Sequence, residues 1–343
     1  MIISKTSTWG TDSLVNKIRI AVIYKQESHA RFLSPDYREN TSYYFFKHAF
    51  NRNKKLEVEF FLTEEKFDTK ILKNKFDVIL LPDNRFPYIP SELSGINEIG
   101  IPVISRTGDP HTIKRYGRLK IHESHKIKYY FGPITSDYFH KFYPKEIKFK
   151  FIMVGLESDL YKSVKPFDER ISNKILNTGN VGNMKLKSRI ANAVLNSSMS
   201  TWYFYKLRTM CNQLPYVDYS GMSGDSYIHR DYPSYVSSYK SAIAASTFYA
   251  VIKYLELTAA GCLTFMEVSK KNSDAEILGF RDNENAIFID ETNYKEKFKE
   301  FLSNPNDTQW KKIAENGRKH TINNLNNDVA VESLIEMIEE VIW

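Results

Sequence analysis

The sequence predicts an α/β protein of two lobes, each built on a parallel sheet. Three observations carry this. Short apolar strands alternate with helix-length segments over residues 17–154, the pattern of a parallel sheet with crossover helices. A polar stretch carrying a proline, Ser163-Val164-Lys165-Pro166-Phe167-Asp168-Glu169-Arg170, interrupts it, and the pattern then restarts. At 343 residues the chain also exceeds what one core usually organises. The expected division is a first lobe over residues 1–162, a linker over 163–170 and a second lobe over 171–327, both Rossmann-like, with a ligand cleft between them.

The elements follow in order. Residues 17–24, Lys-Ile-Arg-Ile-Ala-Val-Ile-Tyr, read as a buried first strand. A helix is expected over 40–53, with Tyr43, Phe46 and Phe50 on one face. Strands are expected at 56–62, 77–81, 101–105, 126–131 and 148–154. In the second lobe, Lys174-Ile175-Leu176-Asn177-Thr178-Gly179 is a strand entering a glycine turn, followed by a helix over 184–196. A strand at 215–219, a helix at 232–243 and a short strand at 242–246 come next. Tyr232, Tyr235 and Tyr239 share helical spacing and read as core. A helix over 253–260, a strand at 262–267 and a last strand at 286–290 complete the sheet. Helices at 293–303 and 307–322 are separated by Asn304-Pro305. The final helix, 328–342, is expected to start at an Asp328 cap and to carry Val331, Leu334, Ile338 and Val341 on its apolar face.

Composition narrows the function. Hydrophobic residues make up 42% and charged residues 26% of the chain, which excludes wholesale disorder. Lys and Arg outnumber Asp and Glu by 48 to 41, a surplus suited to nucleotide diphosphates, lipid phosphates or anionic membrane surfaces. The basic residues are scattered, without zinc-finger or RNA-recognition spacing, so nucleic acid is not an expected partner. Cys211 and Cys262 are too few for a disulfide framework or a zinc site and suit a reducing cytosol. No signal-peptide pattern is visible over residues 1–23, and Lys253 and Glu256 break the apolar run 242–265. A cytoplasmic location is expected, with peripheral membrane contact compatible with the basic surplus.

The most informative stretch is Lys253-Tyr254-Leu255-Glu256-Leu257-Thr258-Ala259-Ala260-Gly261-Cys262-Leu263-Thr264-Phe265. A charged pair sits inside an apolar helix that stops at a glycine and runs into an apolar strand. Lys and Glu are seldom placed so unless paired or functional. Lys253-Tyr254-Leu255-Glu256 with Ala259-Ala260-Gly261 resembles the K-x-x-E-x-x-A-x-G helix of the "group 1" glycosyltransferases of GT-B fold. Other pieces fall in the same order: Val154-Gly155-Leu156-Glu157 with Leu160-Tyr161 before the linker, Ile175-Leu176-Asn177-Thr178-Gly179-Asn180-Val181-Gly182 opening the donor lobe, and Gly279-Phe280-Arg281-Asp282-Asn283-Glu284-Asn285-Ala286 as its turn. The resemblance is good over 150–343 and architectural over 1–150. It implies transfer of a sugar from a UDP- or GDP-linked donor to the hydroxyl of a glycan or lipid-linked acceptor, without metal or other cofactor. It also implies that the terminal helix, 328–343, packs back on the first lobe. Many members carry a second glutamate, eight residues before the one matched by Glu256, that contacts the donor sugar. Phe248 stands there, and Ser246, Thr247 and Tyr249 are not acidic. Retaining and inverting outcomes both stay open, as do a decayed GT-B nucleotide-binding protein and a sugar-nucleotide epimerase.

Each side chain has an expected task. Glu256 would accept hydrogen bonds from both ribose hydroxyls, bonds of roughly 1.5–3 kcal/mol each; otherwise it is the intrahelical partner of Lys253. Gly179, Asn180 and Gly182 would let backbone amides approach a diphosphate. Arg189 and Lys187, with Lys185 nearby, would neutralise the leaving phosphate, as would Lys253; Thr258 would donate to it. The polar segment Gly224–Arg230 would border the base or sugar, or form an ordinary loop. In the first lobe, Asp109 and His111 follow a strand end and would orient or deprotonate the acceptor hydroxyl. Asp83-Asn84-Arg85 is a second acceptor-side group.

Overall fold

The computed structural model describes residues 17–25, 46–86, 88–153, 156–196, 201–220 and 231–343. Strands β1 (Ile18–Lys25), β2 (Leu56–Thr63), β4 (Val78–Leu81), β6 (Val103–Arg106), β7 (Ile127–Gly132) and β8 (Lys148–Phe151) form one sheet; β3 (Lys66–Asp68) and β5 (Glu92–Ser94) pair separately. The large sheet has the order β2-β1-β4-β6-β7-β8, with every pairing parallel. Its sequences explain the placement. β4 is four consecutive buried aliphatic residues, as a strand covered on both faces must be, whereas edge strand β2 exposes Glu57 and Glu59.

The second sheet comprises β9 (Ile171–Thr178), β10 (Val217–Ser220), β11 (Tyr239–Ala244), β12 (Leu263–Glu267) and β13 (Ile287–Ile289), in the order β10-β9-β11-β12-β13, again all parallel. In both sheets the chain steps to one side of the first strand and then crosses to the other. The switch points therefore lie at the carboxyl ends of β1 and β4 in the first lobe and of β9 and β11 in the second, where open α/β sheets bind ligands.

The helices that matter are α1 (Lys47–Arg52), α2 (Arg118–Ser124), α3 (Leu186–Asn196), α4 (Thr201–Phe204), α5 (Lys206–Cys211), α6 (Tyr232–Val236), α7 (Lys253–Ala259), α8 (Tyr294–Ser303), α9 (Thr308–Asn324) and α10 (Asn327–Ile342). α7 ends in a Schellman closure: the amide of Gly261 donates to the Thr258 carbonyl and that of Cys262 to the Leu257 carbonyl. Gly261 takes φ +73, and a Cβ there would lie 3.1 Å from Arg170 Nη2. Arg170, in turn, donates to the Gly261 and Lys165 carbonyls, tying the linker to the end of α7. α10 returns to the first lobe as expected. Ala330, Val331, Leu334, Ile335, Met337 and Ile338 pack into one core with Ile20, Val22, Phe50, Val78 and Leu80. Among the described residues no helix is long and apolar enough to cross a membrane.

Some expected elements differ. The helix over 232–243 is only α6, five residues, and Tyr239 opens the wholly buried strand β11, paired on both sides. That lateral pairing outweighs the helical spacing of the tyrosines, and Tyr235 is exposed. The final helix is capped by Asn326, whose side chain accepts from Val329 N at 3.0 Å, while Asp328 lies in the first turn and pairs with Arg52 at 2.8 Å. Within the expected helix 40–53 the described part is α1; residues 40–45 lie outside the described residues. Val154 and Gly155, from the segment before the linker, also lie outside them.

The lobes meet through side chains from their carboxyl-end loops. Tyr249 OH, after β11, donates to Asp109 Oδ1, after β6, at 3.1 Å. His111 stacks on Phe204, centroids 4.2 Å apart. Tyr138 faces both Phe248 and Tyr249, at 5.9 and 5.3 Å. Carboxyl-end loops of the two sheets thus face each other.

Candidate functional site

In the second lobe the site starts where β9 ends. Thr178 hands over to Gly179, which adopts φ +95, a conformation that favours glycine. Across from it, the first turn of α7 presents Lys253 and Glu256. Lys253 Nζ bonds Glu256 Oε2 at 2.7 Å and Tyr232 OH at 2.5 Å, and that hydroxyl lies 3.2 Å from Thr178 Oγ1. Residues 253 and 256 stand one turn apart, so a single short helix supplies both ends of the pair. Lys253 is 7% exposed and Glu256 3% exposed. Burial works against the Lys253 charge, but Glu256 and Tyr232 outweigh it and hold its pKa above the ordinary lysine value. Burial raises the Tyr232 pKa, with Lys253 opposing.

The sequence reading missed Arg208. It sits on α5, 3% exposed, with Nη1 3.0 Å from the point where a Gly179 Cβ would stand and 3.5 Å from the Asn180 carbonyl oxygen. Lys253 Cε lies 3.9 Å from the same point. The guanidinium rests on the Tyr205 ring at 4.5 Å. Nε and Nη2 have no hydrogen-bond partner, and no carboxylate among the described residues pairs with this cation. A buried charge of this kind is unfavourable by several kcal/mol unless an anion meets it. One signal was available: Arg208 lies between Leu207 and Cys211, and positions 204, 205, 211 and 212 hold no acid to pair with it along a helix.

Glu267, at the end of β12, is a second group that sequence reasoning passed over. It is 4% exposed and its Oε2 has no hydrogen-bond partner. Burial pushes its carboxyl up to about 7, against the pull of Arg208, with Glu291 adding to the rise.

The other expected donor-side residues are spread out. Thr258 turns away: its hydroxyl donates to the Tyr254 carbonyl at 2.7 Å and meets Thr321 Oγ1 at 2.8 Å, against α9. Its expected donation to a diphosphate is therefore replaced by helix packing. The Gly182 amide donates to Thr209 Oγ1 at 2.7 Å, and a Cβ on Gly182 would stand 2.7 Å from Trp202 Cα, so this glycine serves close packing on α4. The Gly179 amide is likewise engaged, by the Ser220 carbonyl at 3.2 Å. Arg189 lies over the Trp202 ring at 4.3 Å, while Lys185 and Lys187 are exposed. Asn180 contributes its carbonyl, with its side chain exposed. The segment Gly224–Arg230 lies outside the described residues.

In the first lobe, Asp109 and His111 do reach the cleft, each held by the opposite lobe through Tyr249 and Phe204. Burial lowers the His111 pKa, with Asp109 opposing and Arg118 assisting, so its imidazole is neutral at pH 7. Asp83, Asn84 and Arg85 form a network behind them. Asp83 Oδ1 accepts from Arg85 Nε at 2.8 Å, and Asn84 donates to Tyr143 OH at 2.7 Å while accepting from the Gly108 amide at 3.2 Å. Phe248, where the resemblance led one to expect a glutamate, packs on Tyr203 and Phe204 from its own lobe and on Tyr138 from the other.

No family model matches the chain, and no curated protein sequence matches it either. Solved structures do. HepE from Anabaena, in complex with UDP-glucose, superimposes with a TM-score of 0.56 at 11% identity, over 94% of this chain and 100% of that one. A glycosyltransferase from Rickettsia africae ESF-5 gives 0.53 at 13% identity, over 95% and 99%. An alpha-glucosyltransferase in complex with UDP-glucose and DNA containing an abasic site gives 0.58 at 13% identity, over 94% and 100%. At such identities the likeness is one of fold: the chain has the GT-B fold.

Proposed function

We propose that this chain is a glycosyltransferase that moves a sugar from a nucleotide-diphosphate donor, held in the second lobe, to an acceptor hydroxyl presented by the first. The observation carrying this reading is the convergence of Arg208 and Lys253 on Gly179, at the switch point of the second sheet, with Glu256 bonded to Lys253. Glu256, fixed by Lys253, is oriented to accept from the ribose hydroxyls. Arg208 is the group for the diphosphate, supported by Lys253. As the glycosidic bond breaks, charge builds on the departing phosphate, and a guanidinium already buried beside it stabilises that charge without reorganisation. Positive charge from Arg208 and Lys253 gives the leaving group its counter-charge without a metal. UDP-glucose in the HepE and alpha-glucosyltransferase complexes supports a uridine donor.

On the acceptor side, His111 is the candidate base, being neutral at pH 7, with Asp109 orienting the hydroxyl or the imidazole. Loss of the sugar-contacting glutamate at Phe248 favours a second reading, a nucleotide-binding protein without turnover. Calorimetry with UDP, GDP and ADP, followed by UDP-sugar consumption with and without acceptor, separates the two. Glu256→Ala should weaken the preferred nucleotide tenfold or more, and unchanged affinity removes Glu256 from the site. Binding without consumption under any acceptor favours the second reading.

A further inference from the structure

Helix α3 exposes apolar residues where α8 and α10 expose charge. α8 turns Lys295, Glu296, Lys299 and Glu300 outward, and α10 turns out Glu332, Glu336, Glu339 and Glu340, as helices that bury one face and hydrate the other should. α3 instead leaves Leu186, Ile190 and Val194 67%, 55% and 78% exposed. These residues follow one another at helical spacing, so they form one ridge along the helix. Single exposed apolar residues are ordinary, but a continuous ridge marks an interaction surface. The start of the helix is held in place: Asn183 Oδ1 accepts from the Lys185 amide at 2.9 Å, and the Arg189 amide donates to the Lys185 carbonyl at 3.0 Å. Cations border the ridge. Lys185 and Lys187 are exposed and form no ion pair among the described residues, and Arg189 lies over Trp202. From Gly179 to Val217 the sequence holds no Asp or Glu, whereas it holds Lys185, Lys187, Arg189, Lys206 and Arg208.

We propose that α3, lying in the plane of the interface, docks the protein on an anionic membrane surface. Leu186, Ile190 and Val194 enter the boundary between headgroups and acyl chains, and Lys185 and Lys187 reach the lipid phosphates beside the ridge. Charge complementarity selects this partner, because an acid-free, cationic segment attracts a negative surface. The make-up of the patch favours lipid over protein. A stable protein partner buries about 800 Å² on each side, around aromatic and arginine anchors with lysine depleted. The ridge is three aliphatic side chains bordered by lysines, and a fluid bilayer needs no matching groove to receive it. The contact is in-plane, since no helix among the described residues is long and apolar enough to cross a membrane. This docking goes beyond the transfer reaction and does not depend on it. α3 follows the loop that begins at Gly179, so docking there holds the switch point of the second sheet close to the membrane.

The test is co-sedimentation of the full chain with vesicles of phosphatidylcholine, alone or mixed with phosphatidylserine, at low and high salt. The native chain should bind the mixed vesicles about tenfold or more tightly than phosphatidylcholine alone, and salt should weaken that binding. Ile190→Gln/Val194→Gln and, separately, Lys185→Glu/Lys187→Glu should each weaken binding to the mixed vesicles about tenfold while leaving the Tm of the free protein unchanged. If one pair fails to fold, the other decides. Absence of native binding to the mixed vesicles, or binding that survives either pair of substitutions, overturns the proposal. So does self-association without lipid, read by analytical ultracentrifugation, that is lost in Ile190→Gln/Val194→Gln, because the ridge would then join two copies of the chain.

Discussion

Arg208→Met offers the sharpest test because it should move stability and binding in opposite directions. The native guanidinium is 3% exposed, unpaired, and leaves Nε and Nη2 without partners. Replacing a buried charged group by an apolar side chain of similar size is often stabilising, by about 1–4 kcal/mol. What Met loses is one long contact to the Asn180 carbonyl and the cation–π contact with Tyr205, about 1–2 kcal/mol together. A net gain of about 1 kcal/mol should remain, or a rise in Tm of roughly 1–2 °C for a chain of this length. Nucleotide binding should move the other way. One or two charge-assisted hydrogen bonds to a diphosphate are worth roughly 1.5–3 kcal/mol each, so UDP should bind at least about tenfold more weakly. Calorimetry reads the Tm of the free protein, and isothermal titration reads the UDP affinity. A destabilised Arg208→Met protein that still binds UDP normally would make Arg208 a structural residue and refute the reasoning.

Three further outcomes are expected. Glu256→Gln leaves Lys253 buried beside a neutral partner, so it should cost stability by about 3–5 kcal/mol and weaken UDP binding together; a chemical-denaturation midpoint unchanged from the native chain would show that the pair is not coupled. Gly261→Ala must hold φ +73 with its Cβ 3.1 Å from Arg170 Nη2, so it should lose about 1–3 kcal/mol, read as a fall in Tm without loss of UDP affinity in the folded fraction. The Glu267 carboxyl, raised by burial from 4.5 to about 7, binds its proton more tightly folded than unfolded. Its contribution is therefore full below about 4.5 and is lost as pH rises through 7, on the order of 3 kcal/mol. Glu267→Gln should flatten the stability profile between pH 5 and 7, and an unaltered slope would show that Glu267 does not titrate there.

The sequence was most readable where a local rule and the tertiary outcome agree. Buried parallel strands announce themselves as unbroken aliphatic runs, as in Val78–Leu81, and the Lys253–Gly261 helix with its glycine stop was legible because pairing distance and capping are local. The helix expected over 232–243 failed because Tyr232, Tyr235 and Tyr239 repeat at helical spacing, whereas the burial of β11 between β9 and β12 is decided by residues far along the chain. The same limit hid part of the site. Arg189 and Lys187 are close to the glycine turn in sequence, yet Trp202 takes the Arg189 side chain. Arg208 is twenty-nine positions beyond Gly179 by the numbering and reaches it only because α5 packs under β9. Thr258 was placed by adjacency to Glu256, but a two-residue step turns a side chain to another face of a helix, here toward Thr321.

Arg208 and Arg118 share a physical problem. Each is a buried guanidinium at the carboxyl end of its sheet, each retains unpartnered N–H groups, and neither has a carboxylate within ion-pair distance among the described residues. Stability alone would favour Met or Leu at both positions. The cleft around them is short of negative charge in other ways. Phe248 brings an aromatic ring rather than a carboxylate, Glu267 holds its proton up to about 7, and Glu256 is engaged by Lys253. Of the two excess cations, Arg208 is the one that reaches a glycine turn at the switch point of its sheet, where the proposed nucleotide diphosphate would meet it. Arg118, 0% exposed with Nη2 held by Thr112, stays enclosed in the first lobe.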